Sequence, residues 1–283
     1  MTNQKWLASN IGHAFKKYRT DMRMLWDSYT LIDFYFPHIK EKIIKNEIDL
    51  VKANPTYGQT TVRQLDRGET LGRINRLLEK ENPKRILIDA VARFEFYWGE
   101  IVTMVYKAYP HKLQSNKQSS NNVTDGTKLM SYIVESISRE EIINKIIEEK
   151  VRSLFYGKPT DLFTKKSFKL EFADHFETNY KKELMFFSEI TARRNLFVHN
   201  NGIIDSKYIK EASNSNYNIG EKIPLTENYL RGVIALLEGL SAEATSIIIE
   251  NICGERVKGG RLKFSRKSFA YSVKNNYYEK LLT

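Results

Sequence analysis

Apolar residues recur at three- and four-residue steps along most of this chain, a spacing that fits helices and leaves little room for anything else. Leu7, Ile11, Phe15, Tyr18, Met22, Leu25, Tyr29 and Ile32 draw one apolar face on a first long helix, which Pro37 is expected to interrupt. Leu87, Val91, Phe94, Trp98, Ile101 and Val105 draw a second, ending at Pro110. Six prolines and fourteen glycines in 283 residues give few breaks between long segments, no stretch alternates convincingly as a strand, and no internal repeat is visible. An all-α bundle follows.

Local signals set the finer divisions. Residues 38–82 are mixed and highly charged, with a turn expected at Pro55-Thr56-Tyr57-Gly58 and a break at Asn82-Pro83. The polar run over 113–127 is expected to be a mobile loop or a docking site. Ser138 with Glu141 three residues on reads as a capping box for a helix that stops at Gly157 and Pro159. A helix beginning near Glu177 carries Phe186, Ile190 and Phe197 on one face. Asp205 is placed to cap a short helix over 206–212, and Thr226 a last long one. The expected organisation is an N-terminal helical extension over 1–82, a helical domain over 83–252 and a basic tail over 253–283.

With 41% hydrophobic residues, the chain can bury roughly three quarters of the surface its unfolded form exposes. Its formal charge of +11 points to polyanionic partners, and eight Lys and Arg against two Glu lie from Cys253 onward. A basic run of that kind either touches nucleic acid or is simply solvated. Cys253 is the single cysteine, which excludes an intrachain disulfide and a thiolate cluster. His13, His38, His111 and His175 are scattered and lack the set of close-spaced His, Asp or Glu partners that a zinc or non-haem iron site needs, so neither a metal nor a cofactor is expected. The first nineteen residues carry no apolar core of signal-peptide kind, and no run of about 18 apolar residues occurs. A soluble cytoplasmic protein without a membrane association is expected. Phe94 and Trp98 belong to the core by their stripe, whereas Tyr277 and Tyr278 either contact RNA or dock as a short helix on the body or on a second subunit.

The segment Arg193-Arg194-Asn195-Leu196-Phe197-Val198-His199-Asn200-Asn201-Gly202 carries the chemistry. At 3.6 residues per turn, Arg194 lies about 40° from Ile190 and Arg193 about 60° to its other side, so both fall where the apolar stripe should continue. Something anionic must meet them: Glu189 or Glu183, a partner subunit, or a phosphate. Asn200-Asn201-Gly202 reads as a helix C-cap, which puts His199 in the last turn, where the helix dipole favours its protonated form. Arg194 and His199 lie about 140° apart on a continuous helix, so one motif does not converge on one phosphate. Two motifs packed across a two-fold axis would gather two arginines and two histidines in a basic cleft. That set suffices for RNA cleavage without a metal: a histidine deprotonates the ribose 2′-OH, arginine stabilises the pentacoordinate phosphate, and the 5′-oxygen leaves with a proton.

Arg194 to His199 fits the R-x4-H signature of the HEPN superfamily, including the polar residue after the arginine, and its context resembles abortive-infection-type HEPN proteins. The likeness covers about 83–252 and takes in the aromatic-rich helix from Arg85 to Tyr109, Leu154-Phe155-Tyr156-Gly157, and the 219–226 segment before the last helix. The resemblance implies a HEPN-like helical bundle, usually dimeric, acting as a metal-independent endoribonuclease in antiviral defence or as a toxin. It makes Arg194 and His199 catalytic, with Asn195 the supporting polar position and Glu189 an orienting partner. Candidate RNA contacts are Arg193 and Asn200 beside the motif, with Arg261, Lys263, Arg266 and Lys267 in the tail. A non-catalytic HEPN adaptor, binding RNA or nucleotide and assembling with an antitoxin, ATPase or nucleotidyltransferase, is the alternative. A DNA-binding regulator is less well supported, because the N-terminal segments show no clear helix-turn-helix.

Overall fold

The computed structural model describes residues 3–50, 65–113, 130–212, 217–257 and 259–281, and within them the fold is all-α. The turn expected at 55–58 and most of the polar run over 113–127 lie outside these residues. The helices are α1 (Asn3–Ile44), α2 (Arg67–Arg76), α3 (Asn82–Ala108), α4 (Arg139–Tyr156), α5 (Asp161–Thr164), α6 (His175–Asn179), α7 (Lys181–His199), α8 (Ser206–Ala212), α9 (Glu227–Ile247) and α10 (Gly260–Lys274). The one β-type pairing among the described residues is an isolated antiparallel bridge between Ile203 and Lys222.

The long helix α9 is the axis of the bundle. Its segment Glu227–Ile252 is long and apolar enough to cross a membrane by length and composition, and 83% of that apolar window is buried inside the protein. A helix apolar on all sides is what the centre of a bundle requires. Around it pack α1, α3, α7 and α10, joined in one core. Phe163 sits between Phe94, Trp98, Phe172, Phe176 and Phe187, with ring centroids 4.8–6.4 Å away.

Two expected breaks are helical instead. The first helix continues through Pro37 to Ile44. Proline costs that turn a hydrogen bond, but the segment beyond it is docked: Ile43 is buried and Lys40 donates to Asn75 of α2 at 2.7 Å. At Asn82-Pro83 a π-helical turn over Leu77–Glu81 leads α2 straight into α3, widening the backbone ladder where Pro83 has no N–H to give. Asn82 is buried there and donates to the Tyr29 carbonyl of α1 at 3.3 Å.

Leu7 to Tyr29 of α1 bury their stripe in the same core as α3 and α9. The region after Cys253 folds as α10 against α9 through Leu262, Ser265 and Phe269. Gly239 makes room for it: a Cβ there would lie 2.2 Å from Phe269. Tyr278, left open between RNA and the body, docks on the body with its ring 6.2 Å from Phe186 and 5.9 Å from Phe269. The three sequence-read caps are present. Thr226 accepts from Tyr229 at 3.2 Å, Asp205 from Tyr208 at 2.8 Å, and Ser138 from Glu141 at 3.2 Å. The return bond from Glu141 goes to the Ile137 N–H rather than to Ser138.

Candidate active site

Helix α7 begins at Lys181, a few residues later than expected, because the short α6 fills the stretch around Glu177. It packs against α3, α8 and α9, and its C-terminal end is pinned. The Asn200 and Gly202 N–H groups both reach the Leu196 carbonyl, at 2.8 and 3.0 Å. Asn201 and Gly202 take positive φ angles of 50° and 79°, closing the helix as an αL cap of the kind the sequence announced. The chain then pairs with 220–223, where Ile204 N–H donates to Glu221 and Ile223 N–H to Gly202, both at 2.9 Å. Phe197 lies beneath Gly202, 2.6 Å from where a Cβ would stand, so only glycine allows this closure.

The two arginines diverge. Arg193 is 5% exposed and points inward. Its Nε donates to Glu189 at 2.6 Å, its Nη1 to the Pro224 carbonyl at 3.0 Å, and its guanidinium stacks 3.8 Å from the centre of the Tyr229 ring. Glu189, 3% exposed, also accepts from the hydroxyls of Tyr208 and Tyr229 at 2.7 and 2.8 Å. Burial draws the Arg193 pKa down, but Tyr229, Glu189 and Tyr208 outweigh it and the guanidinium stays firmly charged. Two expected roles are thereby corrected. Arg193 is enclosed and so is not an RNA contact, and Glu189 anchors α7 to α8 and α9 rather than orienting Arg194 or His199.

Arg194 turns the other way, half-buried, and its Nη2 forms an ion pair with Glu95 of α3. Its Nε is buried without an acceptor among the described residues. Burial pushes the Glu95 carboxyl above its ordinary range, against the downward pull of Arg194. Glu95 was not singled out in the sequence. The one trace of it is a carboxylate four residues from Val91, at the edge of the α3 stripe.

His199 is exposed at the last residue of α7, and Asn195 is half-buried one residue beyond Arg194; neither side chain makes a hydrogen bond among the described residues. The helix stays regular to His199, so the separation of about 140° between Arg194 and His199 holds within one chain. Asn200 is partly exposed, and its Nδ2 donates to the Ile203 carbonyl at 2.6 Å, which locks the turn. The tail residues belong to another part of the bundle, because α10 packs on α9 and α1. There Arg266 pairs with Glu243 at 2.7 Å and Glu250 at 3.2 Å, with its side chain 33% exposed. Arg261 donates to Thr20 at 3.1 Å, and Lys263 and Lys267 are exposed. One subunit thus presents one partly engaged arginine, one exposed histidine and a rigid helix end. No protein-family model, curated protein or solved structure matches the chain.

Proposed function

We propose that this protein is a cytoplasmic, metal-independent endoribonuclease of HEPN type, working as a homodimer in abortive-infection defence or as a toxin. The observation that carries this is the division within 193–199: Arg193 is spent on the core, while Arg194 is partly exposed and His199 exposed at a pinned helix end. A fold that needed only an ion pair at this end of α7 already has one in Arg193 and Glu189. In the dimer, one histidine removes the 2′-OH proton, the freed oxygen attacks phosphorus, and the P–O5′ bond breaks with proton return from the second histidine. Arg194 meets the charge that builds on the phosphoryl oxygens, exchanging Glu95 for phosphate. The products are a 2′,3′-cyclic phosphate and a 5′-hydroxyl.

The Arg194–Glu95 pair also favours a second reading, a HEPN adaptor in which that arginine serves assembly with a partner protein. Labelled RNA incubated with the protein in EDTA separates them. Cleavage to cyclic-phosphate ends, reduced about a hundredfold or more in Arg194→Ala and His199→Ala, is expected of the enzyme. No cleavage by wild type across diverse RNAs supports the adaptor. A monomeric mass in solution removes the two-motif mechanism.

A further inference from the structure

Away from α7, a cavity of about 790 Å³ opens between the first turns of α1, the chain leaving α9, and the start of α10. Its rim takes cations from three separate segments: Lys5 and Lys16 from α1, Arg256 from the connector and Arg261 from α10, with Glu255 the one carboxylate in the lining. All four cations are exposed. Among the described residues, Lys5, Lys16 and Arg256 have no ion pair, and Arg261 reaches only the neutral Thr20 hydroxyl. Like charges gathered around a concavity repel one another and focus a positive potential into it, a cost that a bound anion relieves.

The floor is different in kind. Ala8 and Gly12 keep it low, Val257 and Leu262 give it apolar surface, and a Cβ at Gly12 would meet nothing within 4 Å. Gly259 and Gly260 bring the chain into α10 with no side chain over the opening, and Gly260 uses a φ of +80°. The first turn of α10 has neither a side-chain cap nor an acidic residue, so its N–H groups add to the field of the cations that select the anion. A cationic rim over an apolar floor, at a volume typical of small-molecule sites, matches a ligand with a charged end and an apolar body.

We propose that this cavity binds a nucleotide, with its phosphates on Lys16, Arg256 and Arg261 and its nucleoside over the Gly12 and Leu262 floor. The site is separate from Arg194 and His199 and does not depend on ribonuclease activity. Titration calorimetry with ADP in EDTA at low salt tests it, with adenosine and inorganic phosphate as partial ligands and a short single-stranded RNA as competitor. ADP is expected to bind, more weakly as salt rises, with inorganic phosphate weaker and adenosine weaker still. Lys16→Glu and Arg256→Ala should each weaken ADP by about tenfold or more. Gly12→Met, which projects a side chain into the cavity and removes no charge, should weaken binding while leaving the melting temperature unchanged or higher, and Arg194→Ala should bind as wild type. Absence of ADP binding, or binding unmoved by all three cavity variants, would overturn the proposal. RNA that displaces ADP and shows the same sensitivities at higher affinity would overturn it in favour of a polynucleotide phosphate.

Discussion

Arg193 and Arg194 are adjacent in the chain and have opposite fates. The first lies in a closed network of Glu189, Tyr208, Tyr229 and the Pro224 carbonyl, where every strong hydrogen-bonding partner comes from the protein. The second stands at the surface with one carboxylate, a buried Nε lacking an acceptor, and an exposed histidine five residues on. The difference of one residue rotates a side chain by about 100° on the helix, which is enough to move a guanidinium from the core to the rim. An arginine doublet where an apolar stripe should run is therefore two features: a structural clamp and a partly exposed arginine paired with one carboxylate.

The largest expected effect tests the clamp. Glu189→Ala leaves Arg193 charged and enclosed and strips two tyrosine hydroxyls of their acceptor. Removing one partner of a buried pair costs about 3–5 kcal/mol. Chemical denaturation should show a loss of that size, large enough to threaten folding at 37 °C. Arg194→Ala, by contrast, should lose no more than about 1 kcal/mol, as expected for a pair at the rim whose side chains are 23% and 32% exposed. Comparable losses in the two variants would mean that Arg194 is as structural as its neighbour.

A smaller effect is expected where the helix ends beside the histidine. Gly202→Ala imposes a Cβ on a φ of 79° and drives it to 2.6 Å from Phe197. Strain of this type costs about 1–3 kcal/mol. Since Phe197 and the Leu196 carbonyl set the course of the last turn of α7, thermal unfolding should report the loss, and the proposed RNA cleavage by the folded fraction should fall with it. A variant as stable and as active as wild type would show that the cap does not position His199.

How much of this was readable in the chain depended on how local its cause is. The caps at Ser138, Asp205 and Thr226, the stripe of α1 and the closure at Asn200-Asn201-Gly202 all arise within a few residues of one another, and each is found where the spacing put it. Pro37 and Asn82-Pro83 misled because a proline's local cost was met by tertiary contacts, the docking of α2 in one case and a π turn against α1 in the other. At the site, helical angles predicted that the arginines needed anions and that Arg194 and His199 diverge. They gave no means of choosing among anions. Glu95 lies 99 residues from Arg194, on a helix whose placement beside α7 is a property of the whole bundle. Tyr208 and Tyr229, which complete the clamp and take Glu189 out of the site, were hidden for the same reason.

The smallest effect concerns Glu95 and decides whether Arg194 is truly the freer arginine. Burial raises the Glu95 carboxyl pKa more than Arg194 lowers it. A carboxyl whose folded pKa lies above its unfolded value binds its proton more tightly in the folded state. Its contribution to stability is therefore complete below the ordinary value of 4.5 and is lost as pH rises through the raised folded value. Glu95→Gln keeps an acceptor for Arg194 but does not titrate, so it lacks that slope. Melting temperatures of the two proteins measured from acidic to neutral pH should show wild type most favoured at the acid end, its advantage shrinking as Glu95 ionises. Near neutrality the variants should differ by less than about 1 kcal/mol, the range of weak ion pairs. If wild type instead gained on Glu95→Gln with rising pH, Arg194 would be holding the carboxylate ionised, and its charge would be committed to the fold as fully as that of Arg193.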